Sequence, residues 1–95
     1  MIYEWDAKKA KANQRKHRVS FEEAATVFLD PLAVTYPDPD HSSEEAREIT
    51  VGHSARQRVI FLSHIQRRDR IRIIGARKAR PSERKQYEEY ISEEE

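Results

Sequence analysis

Apolar residues occur along this chain in short clusters, and the spacing within each cluster predicts the element that it forms. The first five residues, MIYEW, favour a short strand. Asp6 then has the position of an N-cap, and small apolar residues predict a helix over about 7–17. A second helix is predicted over about 21–29, with its apolar residues on one side: Phe21, Ala24, Ala25, Phe28 and Leu29.

Two local signals indicate the limits of the second helix. Ser20, followed three residues later by Glu23, has the spacing of a capping box, in which each side chain accepts a hydrogen bond from the other residue's backbone N–H. Pro31 indicates the other end, because the residue before a proline avoids the helical conformation. We therefore expect the helix to begin directly after Ser20 and to end before Pro31.

Strand-like segments dominate the rest of the chain. They are predicted at 32–36, 47–53, 58–66 and 70–77, and the short links between the last three favour an antiparallel meander. A last helix is expected to start near Pro81, since proline suits the first helical position. The predicted fold class is α+β, with a twisted antiparallel sheet of about four strands, two N-terminal helices and one C-terminal helix.

The length of 95 residues is that of one small domain. We expect residues 1–91 to form this domain and the acidic residues 92–95 to fray. The sequence has no cysteine, which excludes disulfides and thiolate chemistry. No apolar run reaches the length of a signal peptide or a membrane span, so we predict a cytoplasmic protein without a membrane partner.

The formal net charge of +1 conceals a strong separation of charge along the chain. Residues 54–85 contain eleven Lys or Arg and two acids, whereas residues 21–53 contain one Arg and eight acids. The basic segment can form a positive patch that attracts phosphates, and its arginines can bind phosphate bidentately. A solvated charged surface is the alternative that charge alone leaves open.

Several segments of the chain resemble one protein family. They are WDAKKAKAN at 5–13, KHRVSFEEAATVF at 16–28, DPDHSSEEAR at 38–47, and DRIRIIGARKA followed by ERKQY at 69–87. In this order, and over nearly the whole chain, they are similar to BrnT, a family of toxins of bacterial type II toxin–antitoxin systems. The resemblance implies a compact RelE-like α+β fold and a ribonuclease that arrests growth by cutting RNA.

The same resemblance implies binding partners. Toxins of this kind are neutralised by a BrnA-like antitoxin, whose ribbon-helix-helix domain binds operator DNA. We therefore expect an RNA substrate, a heterotetramer with two copies each of toxin and antitoxin, and contact with operator DNA through the antitoxin. No cofactor is expected.

Two positions depart from the family pattern. Arg18 stands where glycine is more usual, which is unfavourable if that residue needs a left-handed conformation. Arg80 precedes the last helix where threonine is more usual, and its side chain cannot accept the capping hydrogen bonds. Pro81 and Glu83 are expected to compensate at that helix start.

Metal-independent RNA cleavage needs a base for the 2′-OH, cations for the charge that develops on the phosphate, and an acid for the leaving 5′-oxygen. RelE-like enzymes use Lys, Arg and Tyr for these tasks more than a pair of histidines. We predict Arg58, Arg72 and Arg77 as catalytic, because they lie on adjacent predicted strands and can converge on one phosphate. Arg77, with Lys78 beside it as an RNA contact, is the strongest candidate. The alternative for Arg72 is a solvated strand face.

His17 is the remaining catalytic candidate, since the ordinary pKa of a histidine lies near neutrality. Together with Lys16, a predicted RNA contact, it stands at the end of the first helix. A histidine at that place also interacts favourably with the helix dipole and can cap free carbonyls, so a purely structural role stays open.

The other candidates each have a structural alternative. Tyr87 can stack on an RNA base or pack in the core, and Arg84 is a further predicted RNA contact. His64 and His53 favour half-buried positions in the sheet. His41, with two aspartates nearby, suggests a metal site, but no convergent ligand set accompanies it, so no metal is predicted.

The sequence leads to two hypotheses from different classes. The first is a metal-independent endoribonuclease toxin that an antitoxin holds inactive. The second is a non-catalytic module whose basic face binds nucleic acid or an acidic protein. The two differ in whether the isolated protein cleaves RNA or only binds it with an affinity that depends on salt.

Overall fold

The structure of the chain is a computed structural model that describes residues 1–41 and 45–94. Within these residues, five strands form one sheet: β1 (Ile2–Glu4), β2 (Val34–Pro37), β3 (Arg47–His53), β4 (Val59–Arg67) and β5 (Arg70–Lys78). The helices are α1 (Ala7–His17), α2 (Phe21–Ala25) and α3 (Pro81–Glu94), with 3₁₀ helices at Thr26–Leu29 and Pro39–His41. The predicted α+β class is confirmed.

The strands are arranged in the order β1-β5-β4-β3-β2. Strands β2 to β5 are antiparallel to their neighbours, as predicted, but β1 adds a fifth strand that runs parallel to β5. The sheet is therefore mixed, and the expectation of about four antiparallel strands was wrong in these two details. The reason is that β1 is three residues long and pairs Ile2 with Arg70, a contact between distant segments that local spacing does not encode.

Each side of the sheet has its own core. The first face is covered by α1, α2 and the 3₁₀ helix Thr26–Leu29, and its buried residues are Val19, Phe21, Ala24, Val27, Ile60, Leu62, Ile73 and Ala76. The second face is covered by α3 at one end only, where Ile49, Val51, Val59 and Tyr87 are buried together. Strand alternation explains this division, because successive residues of β4 contribute to opposite cores.

A register shift between β4 and β5 changes which side chains face which core. Ser63 pairs with Gly75 and His64 pairs with Ile73, so Ile74 has no partner of its own in the ladder. An extra residue of this kind is a β-bulge, and it shifts the alternation of the strand that carries it. After the bulge, Ala76 lies in the core of the first face, so the neighbouring Arg77 points to the second.

The junction between α1 and α2 follows the predicted signals in part. The side chain of Asp6 caps α1, and Ser20 Oγ accepts the N–H of Glu23 at 3.0 Å. The carboxylate of Glu23 turns away to other partners, so only half of the predicted capping box forms. Arg18 ends α1 with a φ of 58°, the left-handed conformation in which a side chain costs roughly 1 kcal/mol relative to glycine.

The second helix is shorter than predicted. α2 ends at Ala25, and the chain continues to Leu29 as a 3₁₀ helix. Thr26 Oγ1 donates to the carbonyl of Glu23 at 2.6 Å, and such a bond to the preceding turn competes with regular helical bonding.

The start of α3 shows part of the compensation that the sequence suggested. Glu83 Oε1 accepts the backbone N–H of Arg80 at 2.8 Å, which is one of the two bonds of a capping box; the arginine side chain cannot accept the other. The helix continues through Glu94, so the predicted fraying of 92–95 stays a prediction, and Glu95 lies outside the described residues. None of the helices in the described part of the chain is long and apolar enough to cross a membrane.

Candidate functional site

An open cleft of about 920 Å³ lies on the part of the second face that α3 leaves uncovered. The end of α1, the end of β2 with the 3₁₀ helix Pro39–His41, and the start of α3 surround it, and β3, β4 and β5 form its floor. Four cations line this cleft: Lys16, Arg47, Arg77 and Arg80. Three carboxylates, a histidine and a tyrosine lie among them: Asp38, Asp40, Glu83, His17 and Tyr36.

The helix α1 is fixed at the rim of this cleft by Asn13. Its Oδ1 accepts the N–H of Ala76 at 3.1 Å, and its Nδ2 donates to the carbonyls of Ala76 at 2.8 Å and of Val19 at 3.0 Å. Because β1 pairs with β5 only over residues 70–72, the Asn13 amide takes the place of a neighbouring strand at Ala76. The last turn of α1, with His17, is thereby held beside the cleft.

Arg77 is held rigidly in the cleft by two neighbours. Its Nη1 and Nη2 donate to the two carboxylate oxygens of Glu83 at 2.7 and 2.9 Å. Its guanidinium also lies over the ring of Phe61, 4.0 Å from the centroid. The hydrogen bonds that Arg77 donates to Glu83 raise the pKa of Arg77 further above its already high value, so this side chain is a fixed positive charge.

His17 lies in a positive environment at the rim. Partial burial lowers its pKa, and the charges of Lys16 and Arg77 lower it further. The imidazole is therefore neutral near pH 7, and a neutral imidazole can accept a proton. The structure thus brings Lys16, His17 and Arg77, three of the predicted site residues, to one cleft.

Tyr36 lies on the opposite wall of the cleft, on the edge strand β2. Burial is the main cause that raises the pKa of its phenol, and the carboxylate of Glu83 adds to the effect. The hydroxyl therefore keeps its proton at neutral pH. The Tyr36 hydroxyl is therefore a candidate for a neutral proton donor in the cleft.

Arg58 does not share the cleft with Arg77. Its side chain points to the first face, where it donates to the carboxylate of Glu23 and, from Nη2, to the carbonyl of Arg18 at 3.0 Å. Phe61, the strand partner of Arg77, is three residues further along β4, and side chains three residues apart on a regular strand point to opposite faces. The predicted convergence of the arginines on one phosphate therefore does not occur.

Arg72 also lies away from the cleft lining. It pairs with Ile65 on β4 and with Glu4 on β1, and its charge acts on the carboxylates of Asp6 and Glu45. Its position agrees with the alternative of a solvated strand face.

The other predicted RNA contacts are distributed over the surface and the core. Lys78 is exposed at the end of β5, and Arg84 is exposed and pairs with Glu88 at 2.9 Å. Tyr87 is only 4% exposed, and its hydroxyl donates to Asp30 Oδ2 at 2.8 Å. A ring buried in this way is not available for stacking on a base, so the structure supports the core alternative for Tyr87 and corrects the predicted RNA contact.

The remaining histidines occupy the sheet, as expected. His64 is 3% exposed on the first face, and its Nε2 lies 2.7 Å from Thr50 Oγ1. Burial lowers the pKa of His64 to about 4, so it is neutral in the folded protein. His53 is half-buried, with Nδ1 3.2 Å from the hydroxyl of Tyr87. Residues 1–41 and 45–94 contain no cluster of three or more metal-ligating side chains, and the side chain of His41 is outside the described set.

Among the cleft residues that the sequence reasoning missed are Tyr36, Arg47 and Ser63. For Arg47 a signal existed, because it precedes Ile49 and Val51 at strand spacing and so had to share their face. No such signal marks Ser63, whose place in the cleft depends on how β4 pairs with its neighbours.

A family model described as the ribonuclease toxin BrnT of a type II toxin–antitoxin system matches residues 5–83. The chain belongs to the BrnT family. The resemblance found in the sequence is confirmed, and ribonuclease toxin of a type II toxin–antitoxin system is the description of the family. A search among curated proteins found no match.

Among solved structures, the fold is similar to that of the Brucella abortus ribonuclease toxin BrnT, a crystal structure at 1.1 Å resolution. The TM-score is 0.66 at 18% sequence identity, and the match covers 84% of this chain and 99% of that chain. At this identity the similarity establishes the BrnT fold, and the roles of individual side chains have to be argued from the cleft itself.

Proposed function

We propose that this member of the BrnT family is a metal-independent endoribonuclease that acts in the cytoplasm and arrests growth by cleaving RNA. The observation that carries the proposal is the cleft, in which a fixed arginine, a lysine and a neutral histidine lie together: Arg77, Lys16 and His17. The family description as a ribonuclease toxin gives the substrate class. The cations of the cleft supply positive charge at the phosphate, which is the task that a metal ion has in other nucleases.

The proposed reaction is attack of a ribose 2′-oxygen on the adjacent phosphorus. His17 takes the proton of the 2′-OH, the new P–O2′ bond forms, and the bond from phosphorus to the 5′-oxygen breaks. Arg77 and Lys16 stabilise the extra negative charge on the phosphate oxygens in the transition state. The products are a 2′,3′-cyclic phosphate and a free 5′-hydroxyl.

The 5′-oxygen needs a proton as it leaves, and Tyr36 is the proposed donor. Its phenol carries a proton at neutral pH, because the ordinary pKa of a tyrosine is about 10 and the surroundings of Tyr36 raise the pKa further. Tyr36 and His17 lie on different walls of the cleft, as the two sides of an in-line displacement require. The base and the acid are thus different residues in this proposal.

The test compares Arg77→Met with Arg70→Met. Both changes remove one arginine of β5, but Arg70 is exposed at the far end of the strand and pairs with Glu4. We expect Arg77→Met to lower the cleavage rate of a single-stranded RNA about 100-fold, in the range found when one transition-state donor is removed. Arg70→Met should cleave at the wild-type rate, and EDTA should leave that rate unchanged.

Three outcomes would contradict this proposal. Wild-type protein that binds RNA with a strong salt dependence and leaves it intact would support the non-catalytic binding module instead. Equal cleavage by wild type and Arg77→Met would remove Arg77 from the reaction. Products that carry a 5′-phosphate would exclude attack by the 2′-oxygen.

We further propose that a BrnA-like ribbon-helix-helix antitoxin neutralises the chain in a heterotetramer with two copies of each protein, and that operator DNA is bound through the antitoxin. The family belongs to type II toxin–antitoxin systems, which supports an antitoxin partner. The exposed apolar side chains beside β2 and α3, Leu32 and Tyr90, form a surface that such a partner can cover. Light scattering of the co-expressed pair should give the mass of four chains, and a toxin that elutes alone would contradict this assembly.

A further inference from the structure

We propose that Arg47 and Ser63 form a second phosphate subsite in the cleft, which binds the RNA phosphate next to the one at Arg77. The inference rests on the proposed function in one respect, namely that the cleft takes RNA. It adds a binding site for a second phosphate and two residues that the sequence analysis did not name as site residues.

The first observation is a pair of polar atoms that lack partners. Arg47 Nε and Ser63 Oγ are both shielded from solvent, and neither has a hydrogen-bond partner in the described part of the chain. A shielded donor without a partner is unfavourable, and in native proteins such groups are almost always paired with protein, water or a ligand. Both residues line the same cleft. The cleft floor therefore contains an incomplete hydrogen-bonding site.

The sheet register places the two residues side by side. Ser63 is directly opposite Ile49 on β3 and Gly75 on β5. Arg47 precedes Ile49 by two residues, and Arg77 follows Gly75 by two, so each arginine is a diagonal neighbour of Ser63 on the same face. Diagonal neighbours lie about 7–8 Å apart, within reach of a long side chain.

This row explains why two phosphates fit better than one. Two diagonal steps separate Arg47 from Arg77, on the order of 15 Å between their Cα atoms. Ser63 lies between the two arginines, and its hydroxyl can donate a hydrogen bond to the phosphate that Arg47 binds. Each guanidinium can then bind its own phosphate of an extended strand, whereas convergence on a single phosphate would require both side chains to lean inward, and Arg77 is already fixed by Glu83 and Phe61.

Arg47 Nε has no hydrogen-bond partner within residues 1–41 and 45–94. The backbone N–H of Asp38 donates to the carbonyl of Arg47 at 2.9 Å, which fixes the main chain there. By contrast, both terminal nitrogens of Arg77 donate hydrogen bonds to the Glu83 carboxylate. Arg47 thus has an unused donor, Nε, at the floor of the cleft.

The cleft floor also has room for a ligand. A Cβ added at Gly75, directly opposite Ser63, would meet only Asn13 Oδ1, at 3.9 Å. Because Arg47 Nε and Ser63 Oγ are shielded from solvent, the Arg47 side chain has to rotate when phosphate binds. The flexible stem of an arginine permits that movement.

The experiment measures how much a terminal phosphate improves the binding of a dinucleotide that cannot be cleaved. The probes are a 2′-O-methyl dinucleotide with its internal phosphate alone, and the same dinucleotide with an added 5′- or 3′-phosphate. For the wild type we expect about a tenfold lower Kd with the terminal phosphate at one of the two ends, as a charge-assisted hydrogen bond provides. Arg47→Met should abolish this gain, and Ser63→Ala should reduce it.

Two variants serve as controls. Arg70→Met removes an arginine outside the cleft and should keep the tenfold gain. Arg77→Met should weaken both dinucleotides by the same factor and keep the ratio, because it acts on the internal phosphate. Urea unfolding of Arg47→Met checks that the fold is retained. A longer single strand adds a second readout, since the salt slope of its binding should fall by about 0.7 in Arg47→Met.

The outcomes separate this inference from the proposed function. A wild type without any gain from either terminal phosphate, or an Arg47→Met variant that keeps the gain, overturns the subsite even if the protein cleaves RNA. A wild type that shows the gain and loses it in Arg47→Met, yet never cleaves RNA, supports the subsite and overturns the nuclease.

Discussion

Two arginine–glutamate pairs lie on opposite faces of the same sheet, and both use a glutamate from the first turn of a helix. In each, a glutamate in the third position of a helix pairs with an arginine in or beside a strand: Glu23 of α2 with Arg58, directly before β4, and Glu83 of α3 with Arg77 of β5. The two arginines are similarly exposed, at 21% for Arg58 and 23% for Arg77, and the glutamates differ. The side chain of Glu23 is sealed in the protein, at 5% exposure, whereas that of Glu83 is open to the cleft, at 20%.

The further partners of each pair show what the difference means. Glu23 also accepts the hydroxyl of Ser54 at 2.7 Å, and Arg58 also donates to the carbonyl of Arg18, so this pair joins the α1–α2 junction to the β3–β4 turn. The Glu83–Arg77 pair has the Phe61 ring behind it and the cleft before it. The same two residue types therefore hold the fold together on one face and present a charge to a ligand on the other.

The largest effect is expected from Arg58→Met. It leaves the Glu23 carboxylate buried without its cation, and removal of one partner of a buried pair costs about 3–5 kcal/mol of the free energy of unfolding. Urea unfolding measures this loss, and the rate of RNA cleavage per folded molecule should stay unchanged. Arg56→Met is the matched control, since Arg56 is exposed and lies 3.7 Å from the same carboxylate. A stable Arg58→Met variant that has lost cleavage would reverse the assignment of the two pairs.

The second effect is a pH dependence that distinguishes the histidines of the two faces. Burial lowers the pKa of His64 from 6.5 to about 4, so the unfolded chain binds a proton more readily than the folded one. The stability from His64 is therefore fully present above pH 6.5 and is lost as the pH falls towards 4, on the order of 3 kcal/mol in total.

Replacement of either histidine by glutamine tests this difference. The pH dependence of the unfolding free energy between pH 7 and 4.5 should become flatter in His64→Gln. It should change little in His17→Gln, because His17 lies at the rim of the cleft with only partial burial. An equal pH dependence of the unfolding free energy in the two variants would mean that His64 is not more deeply buried than His17.

The smallest effect is expected from Glu83→Gln. Loss of the carboxylate removes the anion that competes with phosphate for Arg77, so RNA should bind about threefold more tightly, in line with a partly exposed ion pair. The amide oxygen can still accept the N–H of Arg80, which limits the loss of helix stability to about 1 kcal/mol. Filter binding at fixed salt measures the affinity.

Glu23→Gln is the matched change on the sealed face, and it should leave RNA affinity unaltered. A rise in affinity of the same size in Glu23→Gln would show that the effect comes from net charge. Weaker binding in Glu83→Gln would show that Glu83 acts chiefly by orienting Arg77.

Local signals in the sequence predicted most of the elements. Asp6 and the small apolar residues placed α1 at its observed bounds, and the strand spacing of REITVGH placed β3 at 47–53. Such predictions succeed because caps, prolines and alternation act within a few residues of the chain. The family resemblance supplied the fold and the class of toxin, and three of the predicted site residues lie in the cleft.

The errors concern contacts between distant segments. Arg58 and Arg77 lie on adjacent stretches of the sheet, but the face that each points to depends on the register of β4 with β5 and on the bulge at Ile74. The local sequence around Tyr87 suits either stacking or packing, and the hydrogen bond to Asp30 from a distant part of the chain decides for packing. The incomplete hydrogen-bonding site at Arg47 and Ser63 also depends on contacts between distant segments, because the pairing of β3 with β4 brings the two residues together.

By itself the sequence determined the helices, the strands, the α+β class and the charge that suits an RNA-binding surface. Only the tertiary structure decided which arginines face the cleft, which glutamate is sealed and which polar atoms are left without a partner. The physical reason is that helical and strand propensities act over a few neighbouring residues, whereas the side-chain face, the burial and the partners of a charged group depend on the pairing of strands far apart in the chain.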